Sequence, residues 1–141
     1  MKRQVSRRRQ RAYALKFLYA DEFLTAGTDD LRFRELLESV DEETVPYTMK
    51  IVESVRKLKA GLDAVINNYS RNWNIDRISR VDLNILRIAL YELREEKDVP
   101  PNVSINEAIE LAKKYSNVDS NRFINGILDN YYKKELKGIT R

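Results

Sequence analysis

The sequence predicts an all-α fold of six or seven helices packed around one central buried helix. Apolar residues recur at helical spacing along most of the chain, and no segment shows the alternation of a β-strand. We also find no internal repeat with a period of about 20 to 50 residues, which argues against a solenoid. With 141 residues, 43% of them hydrophobic, the chain is long enough for one domain or for two small subdomains that share a core.

The central helix is predicted over Ser79 to Leu93. At about 100° per residue, its apolar side chains form two bands, and a helix coated on most of its circumference must be surrounded by other helices. The first band contains Val81, Ile85, Ile88 and Ala89, and the second contains Leu83, Leu86, Leu90 and Leu93. A narrow polar strip is expected to carry Arg80, Asn84, Arg87, Tyr91 and Arg94.

Asp82 is the one charged residue inside the apolar arc of this helix. A carboxylate in the first turn is favoured by the helix dipole, which is one interpretation. The other is a charge presented to a partner. The sequence leaves both interpretations open.

Three helices are predicted before the central one. Ser6 can cap the first helix, from about Arg7 to Leu24. A short helix is expected over Leu31 to Val40. A long helix begins near Pro46, a residue suited to a first helical turn, and runs to about Tyr69.

Two helices are predicted after the central one. The Pro100-Pro101 pair should end the central helix, and the segment Ser104 to Glu107 has the spacing of a capping box that opens the next helix, to about Tyr115. A last helix is expected to begin after Asp119 or Ser120.

Positive charge is concentrated at the N-terminus. Residues 1 to 20 contain seven bases and no acid, so the formal net charge of +4 leaves −3 for the rest of the chain. Cations near a helix N-terminus cost about 0.3–1 kcal/mol each, so the run RRRQR favours a functional use. The charge points to a polyanion, either a nucleic acid or an acidic surface, and arginine forks bind phosphate bidentately, which favours the nucleic acid. The alternative is a solvated basic tail.

A second candidate site lies at the start of the last helix. Arg122 would add charge beside the free N–H groups there, Phe123 can stack on an unpaired base, and Asn125 points away from the core. Gly126 in mid-helix suggests a close approach to the backbone. The alternatives are Phe123 in the core, Asp119 as the N-cap and Gly126 as a helix-packing contact.

Composition excludes several functional classes. The chain has no cysteine and no histidine, which removes thiol and imidazole catalysis and the usual zinc ligands. It has no glycine-rich phosphate loop, nucleophile elbow or metal-ligand spacing, so we expect no enzyme activity, cofactor or metal. No signal peptide or apolar run of about 18 residues is present, which predicts a soluble cytoplasmic protein without a membrane partner.

Two segments carry a resemblance to a known family. VDLNILRIALYEL followed by DVPPNVSINEAIELAKKYSNVDSNRFINGILD resembles the NusB family of bacterial transcription antitermination factors, and RRRQRAYALKFLYA is similar to the start of that family. The resemblance implies an all-helical fold of two small bundles, divided here into about 1–72 and 73–141. It also implies binding of single-stranded boxA RNA from ribosomal RNA leaders, together with NusE, a small-subunit ribosomal protein, in a complex that modifies RNA polymerase.

The same resemblance implies the site residues. The RNA-binding residues would be Lys2, Arg3, Arg7, Arg8, Arg9, Arg11, Arg122, Phe123 and Asn125. The NusE-binding residues would be Tyr19, Asp82 and Asp119. Some members homodimerise, and the sequence does not decide this.

Two alternative functions stay open. The same helical domain occurs at the N-terminus of certain ribosomal RNA cytosine methyltransferases, so an RNA-binding accessory domain is one alternative. We expect a free-standing factor, because no catalytic domain follows in this sequence. The other alternative is a generic helical interaction module with a basic end.

Overall fold

The structure is a computed structural model that describes residues 5–22, 38, 40–41, 43–71 and 74–137. In this part of the chain there are five α-helices and no strand, which confirms the all-α class. The helices are α1 (Arg7–Asp21), α2 (Pro46–Tyr69), α3 (Arg80–Glu95), α4 (Pro101–Tyr115) and α5 (Val118–Tyr131). A 3₁₀ turn (Ile75–Arg77) precedes α3, and a π-helical turn (Tyr132–Leu136) extends α5. The predicted helix over Leu31 to Val40 falls almost entirely outside the described residues.

Helix α3 is the centre of the fold, as predicted. It packs against each of the other four helices, and every residue from Asp82 to Leu93 is buried. Ser79 caps it, because its Oγ accepts a hydrogen bond of 3.1 Å from the backbone N–H of Asp82. The predicted start of this helix is therefore confirmed.

The polar strip of α3 is mostly buried: Asn84, Arg87 and Tyr91 are buried, and only Arg94 is exposed. Arg87 is 4% exposed, because its guanidinium bonds the carboxylates of Asp63 at 2.7 Å and Glu22 at 2.6 Å. The attraction within such pairs and their hydrogen bonds offset the desolvation penalty of the buried charge. Asn84 is also buried and donates to Glu22 at 3.2 Å. The strip therefore joins α1, α2 and α3.

Gln10 fixes α1 against the start of α2. The N-cap of α2, Val45, offers no side-chain acceptor, and the Oε1 of Gln10 accepts instead from the backbone N–H groups of Tyr47 (2.8 Å) and Thr48 (3.2 Å). The hydroxyl of Thr48 also donates to the backbone carbonyl of Gln10 at 2.7 Å. A residue of one helix thus satisfies the free amides of another.

The predicted capping box at Ser104 is wrong, because α4 begins at Pro101. A proline suits the first helical position, because a backbone N–H at that position would have no partner within the helix and the φ of proline is already helical. Pro101 therefore begins the helix. Ser104 lies inside the helix, 1% exposed, and its Oγ has no hydrogen-bond partner in the described structure. Glu107 is consequently available for a contact with α1.

The last helix begins earlier than predicted. Asn117 is its N-cap, with Oδ1 accepting from the backbone N–H of Ser120 at 3.1 Å, so Asp119 is a first-turn residue and not the cap. Gly126 makes no close packing contact with the described residues, since a Cβ placed there would meet none of them within 4 Å. The packing explanation for this glycine is therefore wrong.

The five helices form two pairs on a shared core. Helices α1 and α2 pack together, α4 and α5 pack together, and both pairs contact α3. One continuous cluster of buried apolar side chains runs through all five. The division into subdomains at residues 72 and 73 stays a prediction. Among the described residues, no helix is long and apolar enough to cross a membrane.

Candidate nucleic-acid interface

Arg11 anchors the basic end of α1 in the core. Its Nε lies 2.8 Å from Oε2 of Glu92, and the two side chains are 5% and 1% exposed. Tyr47 donates its hydroxyl to the same carboxylate, and burial together with this carboxylate raises the pKa of Tyr47. Arg11 was predicted to contact RNA. The structure corrects this, because a buried guanidinium paired with a buried carboxylate is not presented at the surface.

The three preceding arginines, Arg7, Arg8 and Arg9, are exposed. The Cζ of Arg7 lies 4.3 Å from the centre of the Tyr47 ring, and its Nη2 is 3.6 Å from the Asp98 carboxylate. The ring thus supports the guanidinium from one side through a cation–π contact. Because Tyr47 is buried, this contact holds Arg7 at a fixed place on the surface.

Arg8 joins α1 to α4. Its Nε lies 3.0 Å from Oε2 of Glu107, and its Nη2 lies 3.3 Å from Oε1, which is a forked contact. The side chain of Arg8 is 65% exposed, so the pair is worth little to stability. An incoming phosphate therefore has to compete with Glu107 for this guanidinium.

Arg9 differs from its neighbour because, in the described residues, it has no carboxylate partner. Its Nη2 lies 3.3 Å from the hydroxyl of Tyr13, and its Cζ lies 6.0 Å from the ring centre. Its backbone N–H donates to Oγ of Ser6 at 3.3 Å, which confirms the predicted cap of α1. Arg9 is therefore accessible to an external anion without having to leave a carboxylate of the described residues.

Asn125 lies in a groove between α4 and α5. The groove has a volume of about 800 Å³, and its lining includes Glu107, the partner of Arg8. Asn125 is exposed, as predicted. Glu107 therefore connects Arg8 to the groove that contains Asn125.

Arg122 and Phe123 face a different depression. Together with Arg71 and Gly126 they line a hollow of about 390 Å³, in which Phe123 is half-buried against the core. Phe123 is thus both a core contact and a ring that a ligand can reach. Neither Arg71 nor Arg122 has a carboxylate partner among the described residues. Lys2 and Arg3, also predicted to bind RNA, lie outside the described residues.

Arg71 was not singled out from the sequence. Its φ of 54° lies in the left-handed region, which costs a residue with a side chain about 1–2 kcal/mol. Strained backbone of this kind occurs at functional sites, although the strain alone does not assign one. No sequence pattern signals it, because an arginine that follows a helix looks like ordinary surface charge.

Asp82 and Asp119 line one cavity of about 280 Å³. Asp82 is 8% exposed, and its two carboxylate oxygens accept from the hydroxyls of Ser116 and Ser120, each at 2.7 Å. It therefore joins α3 to the α4–α5 connection, which neither of its two interpretations included. Asp119 is exposed at the same cavity.

Tyr19, the third residue assigned to the partner surface, is 39% exposed on α1. It lies three positions before Glu22, whose carboxylate bonds Arg87 and Asn84 of α3. Buried in part, Glu22 would favour its neutral form, but the bonds from Arg87 and Asn84 outweigh burial and lower its pKa.

No group of acidic side chains in the described ranges is arranged to hold a metal ion.

The chain is similar to known proteins over most of its length. The family model described as NusB family matches residues 8–133. Transcription antitermination protein NusB of Trichlorobacter lovleyi is 46% identical over 125 residues, 87% of each chain. The corresponding protein of Myxococcus xanthus is 40% identical and covers 88% of this chain and 92% of its own.

Solved structures of NusB proteins have the same fold as this chain. NusB of T. maritima superposes with a TM-score of 0.80 at 37% identity, over 93% of each chain. A complex of the antitermination factors NusB and NusE with double-stranded RNA contains a chain that superposes with a TM-score of 0.74 at 27% identity, over 92% of this chain and 98% of its own.

Proposed function

This chain belongs to the NusB family of transcription antitermination proteins, and from that premise we propose that it binds single-stranded boxA RNA jointly with NusE. The RNA would come from the leaders of ribosomal RNA transcripts. The bound pair would then act on RNA polymerase in the cytoplasm so that elongation resists termination. In this proposal the protein performs no reaction of its own.

The arrangement of α1 is the observation that carries the proposal. Three exposed arginines stand on a helix that the buried pair of Arg11 and Glu92 holds in place. A prearranged cluster binds phosphates without paying for the ordering of long side chains. The groove that contains Asn125 continues this surface and supplies an amide, which can bond a base edge.

A second RNA contact is proposed at Arg122 and Phe123. The ring is partly accessible, and the adjacent Gly126 leaves open space above the helix backbone. Stacking on such a ring is worth about 1–3 kcal/mol per base. Arg71 belongs to the same hollow, and we include it in the proposed contact because its charge is not paired within the described part of the chain.

NusE is proposed to bind near the cavity of Asp82 and Asp119. Asp119 presents an exposed charge there, whereas Asp82 shapes the wall by holding two serines. Tyr19 would extend this surface along α1. A similar protein is found in complex with NusE and RNA, which supports a shared assembly.

Titration of labelled RNA tests the proposal directly. We expect boxA RNA to bind more tightly than a scrambled RNA of equal length, and NusE to increase the affinity for boxA further. Equal binding of both RNAs, with or without NusE, would instead indicate a generic basic module.

A further inference from the structure

A row of alternating cations and aromatic rings runs along α1 and onto the end of α4. We call it the cation–aromatic row, and its members are Arg9, Tyr13, Lys16, Tyr115 and Lys114. The Nζ of Lys16 lies 5.9 Å from the Tyr13 ring centre and 5.8 Å from the Tyr115 ring centre. The Nζ of Lys114 lies 5.5 Å from the Tyr115 ring centre, and Arg9 closes the other end at Tyr13.

The nearby acids form ion pairs with other cations and not with the cations of this row. Glu107 pairs with Arg8, and Glu110 pairs with Lys113 at 3.4 Å. Within the described structure, Arg9, Lys16 and Lys114 have no carboxylate within 4.0 Å. Their close neighbours are rings, which attract a cation without cancelling its charge.

We propose that the cation–aromatic row binds the single-stranded RNA that flanks the boxA element held by the arginines of α1. This inference rests on the function proposed above and extends it to a longer RNA. The row begins at Arg9, so a strand that leaves the arginine cluster can continue along it. The eight residues from Arg9 to Lys16 span about 10 Å along the helix axis, and Tyr115 and Lys114 extend the row beyond that.

The chemistry of the row favours a single strand over other polyanions. Tyr13 and Tyr115 are half-buried, so each ring is fixed against the core and keeps an accessible side. An unpaired base can stack on such a ring, whereas a paired base in a duplex cannot reach it. An ammonium beside a ring keeps donors for phosphate, since it has three of them. An acidic protein would use the cations and leave the rings without a role.

The test compares a minimal boxA RNA with the same RNA carrying a short oligo-adenosine extension at its 5′ or its 3′ end. We expect one of the two extensions to increase the affinity of the wild-type protein. Lys114→Gln should remove about fivefold of that gain at 0.1 M salt and reduce the log–log salt slope by about 0.7, the value for one phosphate contact to a single strand. The affinity for the minimal RNA should not change.

Lys113→Gln is the matched control, because it makes the same change of charge one residue away. Its ammonium is already paired with Glu110, so we expect the extended RNA to bind as it does to the wild type. If the two variants bind the extended RNA equally, the RNA responds only to the overall positive charge of this region and not to Lys114 itself. That result would overturn the proposal. Equal losses for minimal and extended RNA would overturn it as well.

The rings are tested with Tyr115→Phe and Tyr115→Leu. Phenylalanine keeps the stacking surface and should preserve the gain from the extension, whereas leucine should reduce it by at least about fivefold. Unfolding curves and the affinity for minimal RNA show whether either variant is merely misfolded. If the wild type binds minimal boxA but gains nothing from either extension, the row fails while the proposed function stands. If it binds no boxA at all, the proposed function itself fails.

Discussion

The Nε of Arg11 lies 2.8 Å from Oε2 of Glu92, and this pair is buried beneath three exposed arginines. The run RRRQR therefore has two structural roles. Its first three members face outward, while Gln10 and Arg11 face inward and join α1 to α2 and α3. The basic composition of the segment does not reveal this division.

The buried pair predicts a large loss of stability for Arg11→Ala. Removing one member leaves Glu92 buried and without its countercharge, which costs about 3–5 kcal/mol. Chemical unfolding measures this loss. Arg9→Ala, a change of an exposed arginine on the same helix, should alter the free energy of unfolding by less than about 0.5 kcal/mol. Equal stability of the two variants would contradict the structural role of Arg11.

The exposed arginines predict the opposite behaviour. Replacing Arg7, Arg8 and Arg9 by alanine should weaken boxA binding and leave the melting temperature unchanged or slightly higher, because cations at a helix N-terminus are unfavourable. Among single variants, Arg9→Ala should cost more than Arg8→Ala, since Glu107 already occupies Arg8. Salt titrations provide the measurement, with a decrease in slope of about 0.7 for each lost contact. An unchanged affinity would reject the arginine cluster as the RNA site.

Phe123→Ala should weaken RNA binding by about 1–3 kcal/mol if the ring stacks on a base. Because the ring is only half-buried, we expect a smaller loss of stability than the 3–5 kcal/mol typical of a core phenylalanine. Fluorescence titration and unfolding curves separate the two effects. A variant that unfolds easily yet binds RNA normally when folded would show that Phe123 belongs to the core alone.

Gly126→Ala examines the same hollow from the helix side. An added methyl group meets no atom of the described residues within 4 Å, so alanine should stabilise the protein by about 1 kcal/mol through helix propensity. If RNA approaches this backbone closely, affinity should fall despite the gain in stability. A stabilised protein with unchanged affinity would place the RNA elsewhere.

The partner surface predicts different outcomes for two aspartates. Asp119→Lys should impair NusE binding and preserve stability, because this side chain is exposed. Asp82→Asn should lower stability, since it weakens the charged acceptors of Ser116 and Ser120. Calorimetric titration with NusE measures the effect of Asp119→Lys on binding, and thermal unfolding measures the effect of Asp82→Asn on stability. Normal NusE binding by Asp119→Lys would exclude that residue from the interface.

A buried tyrosine predicts a loss of stability in alkali. Burial, with Glu96 accepting from its hydroxyl at 2.9 Å, raises the pKa of Tyr91 from 10.0 to about 12. The folded state therefore keeps the phenol protonated where the unfolded chain would ionise it. This contribution is complete below pH 10 and is lost as the pH rises toward 12. Urea unfolding at increasing pH should show a flatter decline for Tyr91→Phe than for the wild type.

Much of the fold follows from apolar spacing and caps. The two apolar bands of α3 require burial on nearly all sides of this helix. Ser79 and Ser6 could be recognised as N-caps because serine side chains bond the free amides of a first helical turn. The errors also have local causes. Ser104 to Glu107 satisfies the pattern of a capping box, but the N-cap of this helix is Pro100, four residues earlier, and Asn117 is the N-cap of the last helix in place of Asp119.

The candidate site was less predictable, because it depends on pairings between distant residues. Arg11 and Glu92 are separated by 81 positions, and Arg8 and Glu107 by 99. No sequence rule indicates which of several adjacent arginines meets a carboxylate of another helix. For the same reason, spacing did not predict that two serines would enclose Asp82.

The inward orientation of Gln10 has a consequence for how such proteins can change. Insertion of one residue between Arg9 and Gln10 would turn the preceding arginines by about 100° around the helix axis while leaving the composition basic. The guanidinium of Arg8 would then lose its contact with Glu107 at the groove of Asn125. The surface that these arginines form therefore depends more on their angular position around the helix axis, relative to Gln10, than on how many arginines there are.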